Sequence, residues 1–222
     1  MIDLSRPGLI VFDMDSTLIT IECIDEIAGL AGRKAEVSAI TEAAMRGQLD
    51  FAASLQQRVQ VLAGVAETEL TTLFDPIPVS PGAAELIAWF KQLGWKTAVV
   101  SGGFTWFTQK LRAALKLDAD IANQLEWYQQ QLTGRVSLPI VDAQVKADSL
   151  RQLAQRWQID ITNTIAVGDG ANDIPMLQAA GLGVAFCAKP KLKEIADIVI
   201  ESPDLMLLKT QLEQRVNHHG KS

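Results

Sequence analysis

The chain has 222 residues, 48% hydrophobic and 21% charged, which suits a soluble globular protein of one large domain or one domain with a smaller partner. Its net charge of −6 gives no pull toward nucleic acid or an anionic membrane, so an anionic ligand would need local positive charge to hold it. Two cysteines, Cys23 and Cys187, make no disulfide framework, no run is apolar enough to span a bilayer, and the N-terminus lacks a signal-peptide pattern; a cytoplasmic setting is predicted.

Leu9–Phe12 is the first predicted strand, an apolar run that ends at Asp13-Met14-Asp15. An alternating strand–helix chain would next show a crossover helix of about 10–15 residues, whereas roughly 60 residues of helical periodicity follow. Residues 22–31 gather Ile24, Ile27 and Ala28 on one face, and 34–45 gather Val37, Ile40, Ala44 and Met45. Residues 50–62 gather Phe51, Leu55 and Leu62, and 67–74 form a short fourth helix. Pro76 and Pro78 break the pattern. Residues 19–78 are therefore read as a helical cap inserted after the first strand, with 1–18 and 79–222 forming an α/β core.

The core pattern then resumes. Ser80-Pro81 is predicted to start a helix as N-cap and first helical residue, and Gly94 stops it. Residues 96–100 form a strand that ends in a Ser101-Gly102-Gly103 turn, and a helix spans about 105–115. Residues 123–138 alternate around Leu132-Thr133-Gly134-Arg135 and are read as a hairpin. An amphipathic helix over 144–157, strands over 164–167, 182–186 and 197–200, and helices over 174–180, from Pro190 and at the C-terminus complete the chain. This pattern predicts a doubly wound, mostly parallel sheet with helices on both faces. Such sheets bind ligands at the carboxyl ends of their strands. Three polar loops would converge there, starting at Asp13, Ser101 and Gly168.

Asp-x-Asp alone is a weak signal, arising by chance about once in a chain of this size. A second copy, Asp118-Ala119-Asp120, follows Lys116-Leu117 instead of an apolar strand and is predicted as a solvated turn. Asp13 and Asp15 gain meaning from the loop Gly168-Asp169-Gly170-Ala171-Asn172-Asp173, which brings two more carboxylates to the same rim. Carboxylates that close raise one another's pKa unless a cation intervenes, and oxygen-only ligands suit Mg²⁺. Such a site points to phosphate chemistry, in which positive groups offset charge on the phosphoryl oxygens. Lys146 and the Ser101-Gly102-Gly103 turn are candidates for that work; each also has a plain reading, as a solvated lysine and a strand-to-helix turn.

His218 and His219 sit in a polar tail beside Gly220-Lys221-Ser222, which leaves a Ser-His-Asp hydrolase without its base. No Gly-x4-Gly-Lys-Ser/Thr is present, so a P-loop enzyme is excluded. What remains is covalent catalysis by a carboxylate, with a second carboxylate moving the proton. In the predicted cap, Arg58 shares a face with Leu55, where it either snorkels off the stripe or grips an anionic group. Glu22 is a helix N-terminal acid or a partner for a substrate cation.

Phe12-Asp13-Met14-Asp15-Ser16-Thr17 resembles motif one of the haloacid dehalogenase (HAD) superfamily. Ser101-Gly102-Gly103 resembles motif two, Lys146 motif three and residues 168–173 motif four. Residues 21–28, 44–47 and 54–59 are similar to the cap of the phosphoserine phosphatase family, and 141–147 and 188–190 are similar to its core. The likeness runs from about Leu9 to Leu207. It implies a Mg²⁺-dependent phosphatase that hydrolyses O-phospho-L-serine to L-serine and phosphate through an aspartyl phosphate, the last step of serine biosynthesis.

The resemblance also implies roles. Asp13 is the nucleophile and Asp15 the general acid/base. Mg²⁺ is held by the Asp13 carboxylate, the Asp15 backbone carbonyl and Asp169, with Asp173 supporting that shell. Ser101, Gly102 and Lys146 bind phosphate, and Asn172 faces the phosphoryl group. Glu22 meets the substrate ammonium and Arg58 its carboxylate, while Phe51 and Met45 wall the pocket. Cap closure would exclude water. Some family members carry an N-terminal regulatory domain, which is not expected here because the first strand already begins at Leu9.

Two rivals stand beside this reading. One is a phosphotransferase that passes the phosphoryl group from phosphoserine to homoserine. The other is a non-catalytic phospho-accepting signalling module, against which the cap argues because a module phosphorylated by a partner protein has little use for a lid. The expected partner is a small-molecule substrate, with no nucleic acid and no membrane; monomer and homodimer both stay open.

Overall fold

In the computed structural model, which describes residues 2–219, the strands are β1 (Leu9–Phe12), β2 (Lys96–Phe104), β3 (Ala119–Asn123), β4 (Leu125–Tyr128), β5 (Gln131–Val136), β6 (Thr164–Gly168), β7 (Leu182–Phe186) and β8 (Ile198–Ile200). The α-helices are α1 (Cys23–Leu30), α2 (Lys34–Met45), α3 (Phe51–Val61), α4 (Glu67–Leu73) and α5 (Ala83–Gln92). They continue as α6 (Thr105–Leu115), α7 (Ala143–Arg156), α8 (Ile174–Ala179), α9 (Pro190–Lys193) and α10 (Met206–His219).

Six strands form one sheet in the order β3-β2-β1-β6-β7-β8. Every pairing in it is parallel. β1 is buried along its whole length, as an apolar run covered on both faces must be. Its side chains alternate between two cores. Ile10 and Phe12 pack with Phe90 of α5 and Phe107 of α6, whereas Leu9 and Val11 pack with Leu150 of α7 and Met176 of α8. The chain winds outward from β1 to β2 and β3, then returns to lay β6 against the other side of β1. The order reverses between β1 and β6, and at such a reversal the strand ends leave a crevice for a ligand.

The four predicted helices between residues 19 and 78 are α1 to α4, each within two residues of its expected limits. The chain enters and leaves this segment side by side. Thr20 N donates to Pro78 O (2.9 Å) and Ser80 N to Leu18 O (2.9 Å). The segment also meets the antiparallel hairpin β4–β5. Gly64 N donates to Leu132 O (2.8 Å), Leu132 N to Val65 O (2.9 Å) and Glu67 N to Gln130 O (2.9 Å).

Four local expectations are corrected. The hairpin turns at Gln129-Gln130, both at positive φ, and Leu132–Arg135 lies inside β5. Gly134 is a close-approach residue there: a Cβ would stand 3.1 Å from the Gln60 carbonyl oxygen. Helix α5 starts at Ala83, with Gly82 in the left-handed conformation at its N-cap, because Leu205 N bonds to Pro81 O (2.9 Å) and the backbone at Met206 presses on Gly82. β2 extends through Ser101-Gly102-Gly103, which occupy a register shift against β3 instead of a turn. Asp118 leads into β3, which Ala119 and Asp120 open, and both carboxylates are paired instead of solvated.

The backbone of α10 remains helical through His218 and His219, where a polar tail was expected; Gly220-Lys221-Ser222 lie outside the described residues. Among the described residues no helix is long and apolar enough to cross a membrane.

Candidate active site

β1 carries Asp13 to the crevice, and Asp13 N donates to Val167 O (2.9 Å), extending the ladder to β6 past the end of the strand. The residue is buried, at 4% exposure. The chain then turns sharply, with Ser16 in the left-handed region (φ 54°), an uncommon conformation for a residue with a side chain. This turn returns Asp15 to the start of α1, where its Oδ1 accepts from Cys23 N (3.0 Å). Ser16 Oγ donates to Glu22 Oε1 (2.5 Å), so the loop after β1 is tied to the first helical residues twice.

Across the crevice, β6 ends at Gly168, and the following loop folds back on itself. Asp173 Oδ2 accepts from Asp169 N and Gly170 N, both at 3.1 Å. Gly168 has no room for a side chain, because a Cβ would stand 2.5 Å from the Asp173 carboxyl carbon. Helix α7 is N-capped by Asp142, whose carboxylate accepts from Val145 N (2.9 Å). The next residue, Lys146, is 1% exposed, which excludes its reading as a solvated lysine. Its Nζ donates to Asp13 Oδ1 (2.6 Å) and Asp173 Oδ1 (2.5 Å).

Carboxylate oxygens of Asp13, Asp169 and Asp173 lie within 4.8 Å of one another. Burial raises the Asp13 pKa well above the usual carboxylate range; Lys146 opposes that, and Asp173 and Asp15 add to it. Burial, then Asp173 and Glu22, push Asp169 up to about 7. Burial and Glu22 push Asp15 up to about 6. Burial works against the Lys146 ammonium, yet Asp13 and Asp173 outweigh it and raise its pKa. The Lys146 ammonium bonds two of these three carboxylates, and at Asp169 burial and the neighbouring acids outweigh both Lys189 and Lys146, which leaves negative charge unbalanced. A divalent cation fits that donor set. Both Asp173 oxygens are already engaged, whereas the Asp169 carboxylate makes no hydrogen bond among the described residues.

Above this floor lies a cavity of ≈ 130 Å³. The core lines it with Asp13, Asp15, Ser101, Gly102, Gly103 and Asn172, and the helical segment with Glu22, Phe51 and Arg58. Ser101 is buried and its Oγ accepts from Gly103 N (2.9 Å). Phe51 reaches over Gly102, so close that a Cβ on that glycine would meet its ring at 3.1 Å. Arg58 donates through Nε to Ser54 O (3.3 Å) and makes no ion pair among the described residues. Burial lowers its pKa, with Asp25 and Glu22 opposing. Of the predicted wall residues, Met45 is not brought here. It is 81% exposed at the end of α2, a helix that buries only Val37, so among the described residues its apolar face has no partner at that end.

The sequence places Gly103 only as part of the motif-two turn, with no role of its own, although a Cβ there would stand 2.9 Å from Asp15 Oδ2. The doubled glycine was its one local signal.

The family model for haloacid dehalogenase-like hydrolases matches residues 7–181. The chain belongs to this family. Among relatives of this HAD-like hydrolase, a phosphoserine phosphatase of Idiomarina loihiensis is 60% identical over 207 residues, covering 93% of this chain and 94% of the relative. One of Haemophilus influenzae is 51% identical over 205 residues, and there the match spans 92% of this chain but only 65% of the relative. A solved structure described as a phospho-aspartyl intermediate analogue of phosphoserine phosphatase superposes with a TM-score of 0.86 at 43% identity, over 93% of this chain and 99% of that one.

Proposed function

We propose that this HAD-like hydrolase is a phosphoserine phosphatase, hydrolysing O-phospho-L-serine to L-serine and phosphate through a phosphorylated Asp13, as the last step of serine biosynthesis in the cytoplasm. One observation carries the reading: a buried Lys146 pinned between Asp13 and Asp173, beneath a small cavity whose upper wall holds both a cationic Arg58 and an anionic Glu22. Phosphoserine presents a phosphate at one end and a carboxylate and an ammonium at the other. At ≈ 130 Å³ the cavity is well below the ~300–1,000 Å³ of drug-sized pockets, which favours a compact phosphomonoester of phosphoserine's size over a hexose phosphate.

The chemistry follows from these groups. A carboxylate oxygen of Asp13 attacks phosphorus while the serine oxygen leaves. Asp15, whose pKa burial and Glu22 push up to about 6, is the group placed to give that oxygen a proton, and it then accepts one from the attacking water. The Lys146 ammonium, the Ser101 hydroxyl and the Gly102 N–H offset charge on the phosphoryl oxygens, and Asn172 faces them. Mg²⁺, held by Asp13, Asp169 and the Asp15 backbone carbonyl, would supply further electrostatic stabilisation of the phosphoryl group. Asp173, occupied by Lys146 and two backbone N–H groups, orients this shell. Arg58 grips the substrate carboxylate and Glu22 its ammonium, and Phe51 closes the wall. Residues 19–78 act as a cap over the core formed by 1–18 and 79–222, and the Phe51 contact with Gly102 supports a closed arrangement.

The test is a phosphate-release panel over phosphoserine, phosphothreonine and sugar phosphates, with and without Mg²⁺. Phosphoserine with Mg²⁺ should win, and faster release from sugar phosphates would overturn the reading. Adding homoserine and looking for phosphohomoserine by mass separates the phosphotransferase rival. Multiple turnovers exclude the signalling module. In the same assay Arg58→Ala should raise KM for phosphoserine about 10–100-fold with a smaller change in kcat, as loss of a charged hydrogen-bonded pair predicts. An unchanged KM would return Arg58 to a packing role.

A further inference from the structure

We propose that Asn123 is a positioning residue that locks the phosphate-binding backbone of motif two in its working orientation. The inference rests on the phosphatase reading for its chemistry, although its geometry stands by itself. β2 and β3 run in register to Val100 and resume only where Phe104 pairs with Asn123. Between those points the register shifts, and the Ser101–Gly102 and Gly102–Gly103 peptides lie outside the pairing with β3. The Gly102–Gly103 peptide is the least hindered of them, because glycine flanks it on both sides. A flip would exchange the two ends of this peptide and turn the Gly102 carbonyl oxygen from Asn123 toward the Ser101 hydroxyl, which lines the cavity, so that an acceptor would stand beside a bound anion.

That peptide is pinned at both ends. Asn123 Nδ2 donates to Gly102 O (2.8 Å), and Ser101 Oγ accepts from Gly103 N (2.9 Å). Asn123 itself is 1% exposed and fully engaged. Its Oδ1 accepts from Val141 N (2.7 Å), and Nδ2 also reaches Val141 O (3.5 Å). Val141 immediately precedes Asp142, the N-cap of the helix that carries Lys146. One buried amide therefore sets the loop that meets phosphate relative to the helix that brings the ammonium. All its partners are backbone groups, and it does not line the cavity, so it acts through Gly102 and not on the substrate.

The test compares Asn123→Asp with wild type in two assays: calorimetric binding of inorganic phosphate to the Mg²⁺-loaded protein, and steady-state phosphate release from phosphoserine. The substitution keeps the acceptor for Val141 N and removes the donor to Gly102 O. At about pH 8 phosphate should bind about tenfold more weakly, the equivalent of one misaimed hydrogen bond, while inhibition by L-serine stays within about twofold. Lowering the pH to about 5 should restore the ratio to wild type, because a protonated carboxyl again offers an O–H donor. A loss that does not change with pH, or phosphate binding within about twofold of wild type at about pH 8, would overturn the assignment. If the buried carboxylate prevents folding, Asn123→Ala decides the matter: it should show the same weakening without recovery at low pH, and normal phosphate binding would overturn the proposal. If wild type binds phosphate but releases none from phosphoserine, the phosphatase reading fails, and the binding comparison still decides Asn123.

Discussion

Asp13 and Asp15 leave the carboxyl end of β1, whereas Asp118 and Asp120 enter the amino end of β3, two strands away in the same parallel sheet. The spacing is identical and the electrostatic outcome is opposite. Asp118 accepts from Thr97 N (2.9 Å) and Thr97 Oγ1 (3.2 Å) and pairs with Lys96 (3.1 Å). Burial alone would raise its pKa, but Thr97 and Lys96 outweigh it and hold the carboxyl below its usual range. Asp120 is matched by Arg112 (3.0 Å) and Thr108 Oγ1 (2.9 Å). Burial dominates at Asp13 and Asp15, and both are pushed up. The amino ends of parallel strands offer N–H groups that satisfy a carboxylate. Here the carboxyl ends gather several acids around one ammonium and leave charge for a ligand to balance.

Substituting the attacking carboxylate should separate the two pairs most sharply. Asp13→Asn is expected to cut phosphate release by at least about 10⁴-fold while a thermal melt still shows a folded protein. Retained turnover would sink the phosphorylated-Asp13 mechanism. The lysines come next. Lys146→Met strands Asp13 and Asp173 in the interior, so urea unfolding without metal should show a loss of about 3–5 kcal/mol. Lys96→Met, at a pair whose lysine side chain is 42% exposed, should cost no more than about 1 kcal/mol. Comparable losses would mean that burial does not set the worth of these pairs. Asp118→Asn should then cost about 1–2 kcal/mol through its bonds to Thr97 and leave kcat/KM within about twofold of wild type.

The smallest effect lies in pH. Asp15 (about 6) and Asp169 (about 7) are raised above the unfolded carboxylate value near 4, so the metal-free folded state binds more protons than the unfolded state over that window. Their contribution to stability is therefore most favourable below about pH 4 and declines as pH rises to about 7. Asp118 works the other way: its stabilisation is present above about pH 4 and fades as pH falls through its lowered pKa. Melting of the metal-free protein should accordingly rise on going from about pH 7 to about pH 5, and Mg²⁺ should flatten that slope. A slope unmoved by Mg²⁺ would count against the carboxylates of this rim as its source.

The rim could be read from sequence because its parts are local. A short apolar run ending in Asp13, a glycine-rich loop around Asp169 and a lysine opening an amphipathic helix each announce themselves within a few residues, and parallel topology gathers them. What escaped reading depended on partners remote in the chain. Gln129-Gln130 are poor turn residues by type, and the ladder with residues 64–67 supports the hairpin that turns there. Met45 sits on the apolar stripe of α2, but periodicity cannot say that nothing covers its end. Ser101-Gly102-Gly103 reads as a turn because glycines suggest one, while the sheet carries the chain onward to Phe104. Asn123 has no pattern at all; its meaning lies in the three backbone groups it touches.

The bonds from Gly64, Val65 and Glu67 to Gln130 and Leu132 also order events during synthesis. As the chain leaves the ribosome, α1 to α4 emerge well before the hairpin that supplies the missing half of this ladder. The backbone around Val65 must wait with its hydrogen-bonding groups in water until Leu132 has been made, so the first large segment to appear is among the last to be completed. A nascent chain stalled before the hairpin should be cut by protease around residues 62–66, and one stalled after α7 should resist.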